Sequence, residues 1–462
     1  MEAFVEISPS KVTQHEGALI SLCADGEAIS DLYFDFTALL KAVRQPSDTA
    51  LDLLLVAASV YSLDKLTARS SSTDGWGRHF DVTIPVANPA TWKETADTIN
   101  ECVSFLSGDK WRMRFTDRSS QIVRRRRRQR RPRIAPRFAR GAVACLFSGG
   151  LDSLIGAIDW LEETDDERIC LVGHHDPNIG GVEKDQKQLA GVLSTVYRGR
   201  CEPIRMGVGH SGKALEVTMR SRSLLFVALG VLVAEHLGEG VPLLIPENGT
   251  IALNIPLTPA RRGSCSTRTA HPYYLKLLQD WLQHVGLHHP LQNPLLAKTK
   301  GEAVLECRNQ DVLTRAAVLS NSCAKRGHRS WWVRRDASSC GCCMPCIYRR
   351  AALHKVGLDT EVYGNDICTG EVRTADPDCD SADDLRACCS FLRCNHSREF
   401  VAKMLIASGP LPPLEVLEHA STVSRAMDEI RQLLLDKGNT AIRNLAGLNV
   451  RGNRADRHTL PH

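Results

Sequence analysis

Apolar and polar residues alternate with two different periods along this chain. Within the first 120 residues, the segments AFVEIS and HFDVTIPV alternate with a period of two, which predicts half-buried strands. Helical spacing of apolar residues over 36–43, 51–61 and 92–106 predicts helices. We therefore expect an N-terminal α+β domain over residues 1–120, which serves as a scaffold or a docking surface.

From residue 141 the pattern changes to apolar strands that alternate with longer helical segments. The runs GAVACLF, RICLVGHH, CEPIRMGVG and VPLLIPEN predict four strands, and SLIGAIDWLEE, VEKDQKQLAGVLSTVY and residues 221–237 predict helices between them. Such an order is typical of a parallel, Rossmann-like α/β sheet with helices on both faces. We assign this domain to residues 141–300, with its ligand site beyond the carboxyl ends of the strands.

Three further regions complete the predicted organisation. Residues 121–140 read as an arginine-rich linker and residues 301–355 as a cysteine-rich module. Residues 356–462 read as a helical C-terminal extension, with helical spacing over 398–407, 414–435 and 440–448.

The net charge of +5 is concentrated in that linker, where ten arginines lie between Arg124 and Arg140. The rest of the chain is therefore net acidic. Two prolines interrupt the basic run, and no aromatic residue interleaves with it before Phe138. A solvated linker is the simpler interpretation, and a contact to nucleic acid is the functional one.

Composition narrows the compartment and the class of protein. The chain has 462 residues, of which 43% are hydrophobic and 24% charged, as in globular proteins. Because no apolar run approaches 18 residues, we expect no membrane span. The N-terminal segment MEAFVEISPS lacks the pattern of a secretory signal, so we expect a cytoplasmic protein. Its 17 cysteines should then be thiols or metal ligands.

The segment from Ser148 to Ser153, SGGLDS, joins the first predicted strand to the first predicted helix of the α/β domain. A glycine turn at a helix N-terminus directs backbone N–H groups at an anion. Two glycines let phosphate approach the backbone, and both serine hydroxyls can donate hydrogen bonds to it. Asp152 can hold Mg²⁺ or orient the turn.

The second local motif is a group of cysteines. Cys323, Cys340, Cys343 and Cys346 offer four thiolates to one tetrahedral ion, which favours structural Zn²⁺ over an iron–sulfur cluster. Cys342 is left over, because adjacent cysteines do not easily ligate one ion. A later group, without metal-ligand spacing, reads as unligated thiols and comprises Cys368, Cys379, Cys388, Cys389 and Cys394.

Together these motifs resemble a known family over residues 141–355. The SGG-x-DS loop is the signature of the PP-loop ATP pyrophosphatases, and C-G-x-C-x-x-C over 340–346 resembles the zinc site of 7-cyano-7-deazaguanine synthase. The segments N-P-L at 293–295 and K-G-E at 300–302, and R-S-x-x-F at 222–226, resemble further elements of that family.

The resemblance implies a C–N ligase that forms AMP and pyrophosphate. It implies that ATP and Mg²⁺ activate the carboxylate of a 7-carboxy-7-deazaguanine-like substrate, which then becomes an amide or nitrile or is transferred to an amine. The implied catalytic residues are Asp152, Ser153, Arg222 and Lys300. The implied ATP-binding residues are Phe147, Ser148, Gly149, Gly150, Leu151, Asp152, Ser153 and His174. The implied substrate-binding residues are Glu247, Asn254, Arg268 and His271.

The N-terminal unit and the C-terminal extension are foreign to the housekeeping synthase. The extended architecture resembles the synthase-like component of the Qat anti-phage defence operons, which implies protein partners from the same operon. Two other interpretations stay open. One is a PP-loop tRNA thiolase or lysidine-type synthetase, and the other is a non-catalytic nucleotide-binding subunit of a defence complex.

Overall fold

The computed structural model describes residues 1–8, 18–43, 46–123, 141–216, 220–258 and 268–448. Within these ranges ten strands form one sheet in the order β10-β9-β6-β7-β8-β3-β2-β1-β4-β5. The strands are β1 (Glu2–Ser8), β2 (Leu19–Ala24), β3 (Glu27–Phe34), β4 (His79–Val86), β5 (Lys110–Asp117), β6 (Ala142–Leu146), β7 (Arg168–His175), β8 (Cys201–His210), β9 (Leu243–Leu244) and β10 (Leu291–Gln292).

Helices surround this sheet and form the C-terminal region. They are α1 (Phe36–Ala42), α2 (Asp48–Leu66), α3 (Pro89–Glu94), α4 (Ala96–Ser107), α5 (Leu151–Glu163), α6 (Val182–Val196), α7 (Arg222–Leu237), α8 (Gly249–Leu253), α9 (Pro272–His284), α10 (Lys300–Leu305), α11 (Gln310–Ala317), α12 (Met344–Lys355), α13 (Asp383–Cys394), α14 (Arg398–Ser408), α15 (Val416–Lys437) and α16 (Thr440–Leu445).

Strands β10, β9, β6, β7 and β8 are parallel, and the central ones are buried on both faces. Side chains of β6 alternate between two cores: Ala144 and Leu146 pack with α2 and α7, whereas Val143 and Cys145 pack with α5 and α6. Since successive side chains point to opposite faces, burial on both explains the uninterrupted apolar run of this strand.

The N-terminal strands extend the same sheet. Antiparallel pairing of β3 with β8 places Leu32 opposite His210 and Phe34 opposite Val208. Strands β4 and β5 alternate between buried and more exposed residues, so one of their faces is buried. Helix α2 is buried along most of its length and packs in the same core as α7. Residues 1–120 therefore share a sheet and a core with residues 141–300.

The structure confirms a mixed α/β fold with a largely parallel sheet, helices and a cysteine cluster. The predicted strands near residues 3 and 79 and the first three of the α/β region are present. The predicted fourth, VPLLIPEN, forms only the two-residue β9, and β2, β3 and β5 were not predicted. Most of the arginine-rich linker, residues 124–140, lies outside the described residues. No helix in the described ranges has both the length and the apolar character needed to span a bilayer.

Candidate functional site

The SGGLDS loop connects the end of β6 to the start of α5. Gly149 has a φ of +87°, a left-handed conformation that glycine adopts without strain. Within the loop, the Gly150 N–H donates to Ser148 Oγ at 3.2 Å, and the Ser153 hydroxyl donates to the Gly150 carbonyl at 3.0 Å. The hydroxyl oxygens of Ser148 and Ser153 are 3.3 Å apart. The hydroxyl groups of Ser148 and Ser153 thus lie together beside the first turn of α5.

A buried ion pair lies immediately beside the loop. The Lys300 ammonium donates to Asp152 Oδ2, and the Asn248 amide donates to the same oxygen at 3.2 Å. Lys300 is 2% exposed and Asp152 is 8% exposed. Burial and the neighbouring Asp152 carboxylate hold the pKa of Glu247 well above its usual range. Asp152 Oδ1 is buried and accepts neither of these two hydrogen bonds, although Glu247 shares a side-chain hydrogen bond with Asp152. Oδ1 can therefore accept a cation or a donor from a ligand.

Arg222 is held against the carboxyl end of β7 by His174. Its Nε donates to His174 Nδ1 at 3.2 Å, and its Nη2 donates to the His174 carbonyl at 3.1 Å. Burial, followed by the Arg222 charge, lowers the pKa of His174 to about 3. The ring is therefore neutral, with Nε2–H donating to the Val208 carbonyl at 3.0 Å. His174 orients Arg222 and holds no charge itself.

Two adjoining cavities open above these side chains. The first, of about 300 Å³, is lined by residues that include Ser148, Gly150, Asp152, Arg222, Glu247 and Lys300. The second, of about 230 Å³, shares Ser148, Arg222, Pro246 and Glu247 with the first and adds Ser153, Phe226 and Thr269. Arg222 and Glu247 thus line both compartments, with the loop at their shared wall.

The four predicted metal ligands lie together. The Sγ atoms of Cys323, Cys340, Cys343 and Cys346 are all within 4.8 Å of one another, and those of Cys340 and Cys346 are 3.8 Å apart. Tetrahedral Zn–S bonds of about 2.3 Å imply S···S separations of about 3.8 Å, so the group fits a zinc ion. In the described residues no other set of three or more such ligands is as close. Cys342 is outside the set, as predicted.

The cysteine module also forms one wall of the first cavity. The Asn321 N–H donates to the Gly149 carbonyl at 2.9 Å, so this wall adjoins the loop. It is lined by Asn321, Ser322, Cys323, Ala324 and Arg326. Arg326 forms an ion pair with Asp185, whose Cβ lies 3.4 Å from where a side chain on Gly149 would begin. Metal binding would therefore fix a segment that contacts the loop.

Comparison with known proteins finds no relative of this chain. No protein-family model, no curated protein and no solved structure matches it. The chemistry of the site therefore has to be argued from its own residues.

Not every predicted site residue lines a cavity. Phe147 and Leu151 are buried in the hydrophobic core. His174 accepts a hydrogen bond from Arg222 and does not line either cavity. Arg268 donates to the Phe105 carbonyl at 2.9 Å, and its guanidinium lies over the Phe105 ring. His271 caps the N-terminus of α9 by accepting the Tyr273 N–H at 3.2 Å. Asn254, in a left-handed conformation at the end of α8, is also absent from both cavity walls.

Sequence reasoning missed three residues that shape the site. Asn248 bridges Asp152 and the start of α8, where its Oδ1 accepts the Ile251 N–H at 3.3 Å. Gln186 donates to the His174 carbonyl at 2.9 Å, and Asp185 pairs with Arg326. Asn248 is the N-cap of α8, a position that asparagine prefers. This capping preference is the sequence signal that could have identified Asn248.

Proposed function

We propose that this protein is an ATP-dependent ligase that activates a carboxylate as its adenylate, with release of pyrophosphate, and then transfers the acyl group to nitrogen. The observation that carries this proposal is the convergence of the SGGLDS loop, Arg222 and Lys300 on one cavity wall. A glycine loop at a helix N-terminus binds phosphate, and a nearby guanidinium such as that of Arg222 balances the charge that develops on it. Lys300 is paired with Asp152.

In this proposal each part of the wall has a separate task. The hydroxyl groups of Ser148 and Ser153 and the N–H groups at the start of α5 hold the pyrophosphate portion of ATP. Arg222, oriented by His174, faces both cavities and stabilises charge where the carboxylate meets the α-phosphate. Lys300 and Asn248 hold the Asp152 side chain through Oδ2, so the buried Oδ1 is left to face Mg²⁺, which would neutralise the leaving pyrophosphate.

The identity of the substrate rests on the sequence resemblance. We infer a 7-carboxy-7-deazaguanine-like acid that occupies the second cavity, whose walls combine Phe226 and Pro246 with Arg222 and Glu247. A Cys₄ zinc site would stabilise the wall formed by 321–326 and take no part in the chemistry, because four thiolates leave no open coordination position. From the same resemblance we infer that the protein acts in an anti-phage defence system, with protein partners encoded in the same operon.

The test is product analysis with ATP, Mg²⁺, ammonia and 7-carboxy-7-deazaguanine. We expect AMP and pyrophosphate in equal amounts and a new amide or nitrile by mass spectrometry. Asp152→Asn should abolish AMP release while zinc content stays unchanged, because Asp152 and the cysteine set are separate. AMP release with tRNA alone would contradict the substrate, and no AMP with any acceptor would contradict the ligase.

A further inference from the structure

The C-terminal helix α15 contacts the site through one face. Thr422, Arg425 and Glu429 are spaced three and four residues apart, so they lie on the same side of the helix. All three contact the segment 296–302, which contains Lys300. The region of the chain with no motif of its own therefore packs directly behind a residue of the candidate site.

Glu429 makes the most specific of these contacts. Its Oε1 accepts the Thr299 hydroxyl hydrogen at 2.5 Å, and its Oε2 accepts the Gly301 N–H at 3.1 Å. These two residues flank Lys300 in the chain. The Lys355 ammonium, 3.1 Å from Oε1, balances the carboxylate, whose side chain is only 8% exposed. Glu429 thus binds the Thr299 hydroxyl on one side of Lys300 and the Gly301 backbone on the other.

The absence of a side chain at Gly301 fits this arrangement. A Cβ there would lie 2.4 Å from Glu429 Oε1 and 2.5 Å from its Cδ, well inside van der Waals contact. Glycine in the first turn of a helix costs stability relative to alanine. Its presence in α10 is explained by the close approach of the Glu429 carboxylate.

The same helix face also contacts the segments that carry Lys300 and Asn248, the two donors to Asp152 Oδ2. Arg425 donates from Nη2 to the Ala297 carbonyl at 3.1 Å and from Nε to Glu302 at 2.6 Å. The Thr422 methyl lies 3.0 Å from where a Cβ on Gly249 would stand, next to Asn248. Both donors to Asp152 Oδ2, Lys300 and Asn248, are therefore backed by α15.

We propose that Glu429 is a positioning residue that holds the Lys300 ammonium against Asp152, so that helix α15 is an integral part of the candidate site. An effect of Glu429 on turnover rests on the proposed function. The positioning of Lys300 itself is inferred from the contacts alone. Displacement of a charged group by about 1 Å costs on the order of 100-fold in rate.

Two variants perturb the contact from opposite sides. Glu429→Gln places an amide N–H₂ group against either the Thr299 hydroxyl or the Gly301 N–H, both of which now donate to the carboxylate. Gly301→Ala introduces a methyl group that pushes the carboxylate away. The matched control is Asp428→Asn, which also replaces a carboxylate by an amide, one residue earlier on α15. The Asp428 side chain is 68% exposed and pairs with Arg431 at 3.3 Å.

The first measurement does not depend on catalysis. An amine-acetylating reagent, followed by peptide mass spectrometry, gives the acetylation rate of Lys300 relative to exposed Lys276. In the wild type and in Asp428→Asn, Lys300 should be strongly protected. In Glu429→Gln and Gly301→Ala its relative rate should rise by about 10-fold or more, since a buried ammonium in an ion pair is unreactive. Continued protection in both variants would overturn the proposal.

The second measurement is the rate of AMP release. Both variants should lower kcat by about 10- to 100-fold with less than a threefold change in the KM for ATP, because the loop that binds phosphate is intact. A raised KM with unchanged kcat would indicate a merely structural role and would contradict the positioning role. If the wild type releases no AMP, the proposed function fails, and the acetylation rates still decide the positioning role.

Discussion

Removal of the Lys300 charge should destabilise the folded chain far more than removal of an exposed lysine. Lys300→Met keeps the aliphatic bulk and removes the cation that pairs with Asp152, so Asn248 is the remaining donor to Asp152 Oδ2. The side chains of Lys300 and Asp152 are 2% and 12% exposed. Breaking a pair buried to this extent costs about 3–5 kcal/mol, because an uncompensated charge remains.

A double-mutant cycle separates this charge effect from lost packing. Asp152→Asn removes the carboxylate, so the double variant Lys300→Met/Asp152→Asn leaves no buried charge between them. We expect it to be more stable than Lys300→Met alone, with a coupling free energy on the order of 2 kcal/mol.

The assay is urea unfolding of the four proteins at pH 7, followed by tryptophan fluorescence and circular dichroism. Lys298→Met is the matched control, since Lys298 pairs with Glu306 at 3.0 Å with side chains 32% and 52% exposed. It should cost less than about 1 kcal/mol. Equal costs for the two lysine variants, or additive costs in the cycle, would refute a buried Lys300–Asp152 pair.

Two further predictions concern the metal and the pH dependence of stability. Cys346→Ser should reduce bound zinc, measured by inductively coupled plasma mass spectrometry, whereas Cys342→Ser should leave one zinc per chain; equal zinc in both variants would contradict the ligand set. Burial, with the Arg268 charge, lowers the pKa of His271 from 6.5 to about 3. The unfolded chain therefore takes up a proton near pH 6.5 that the folded chain excludes, so stability is present above pH 6.5 and falls towards pH 3. His271→Asn keeps a capping acceptor for the Tyr273 N–H but does not titrate, so it should reduce the fall in the free energy of unfolding by up to about 1.4 kcal/mol per pH unit. Urea unfolding at pH 7 and pH 5 measures this fall in both proteins. The same fall in the wild type and the variant would contradict the prediction.

Local patterns were sufficient for the parts of this molecule that are encoded locally. Strand β6 was predicted because both of its faces are buried, which makes its sequence continuously apolar. The loop and the cysteine set were predicted because each motif needs fixed residue types at short spacing. Strand β2 was missed although the Asp25-Gly26 pair that follows it, with both residues at positive φ, is the sequence signal of a two-residue hairpin turn to β3.

The Lys300–Asp152 ion pair and the contacts of Glu429 could not be predicted from local sequence patterns. Lys300 and Asp152 are distant in sequence and meet only after the segments following β9 and β10 return to the end of β6. Glu429 has no local signal beyond its place on a helix face. The capping contact of His271 at the start of α9 is likewise a feature that the sequence pattern did not predict. Such roles depend on tertiary packing, which periodicity does not contain.

In the proposed reaction, a carboxylate oxygen of the substrate forms the bond to the α-phosphate of ATP. The direct test is turnover of 7-carboxy-7-deazaguanine labelled with ¹⁸O in its carboxylate. When the amine displaces the adenylate, the bridging oxygen leaves with AMP, so we predict one ¹⁸O atom in the AMP formed and none in pyrophosphate. AMP without label, or label in inorganic phosphate, would contradict the account.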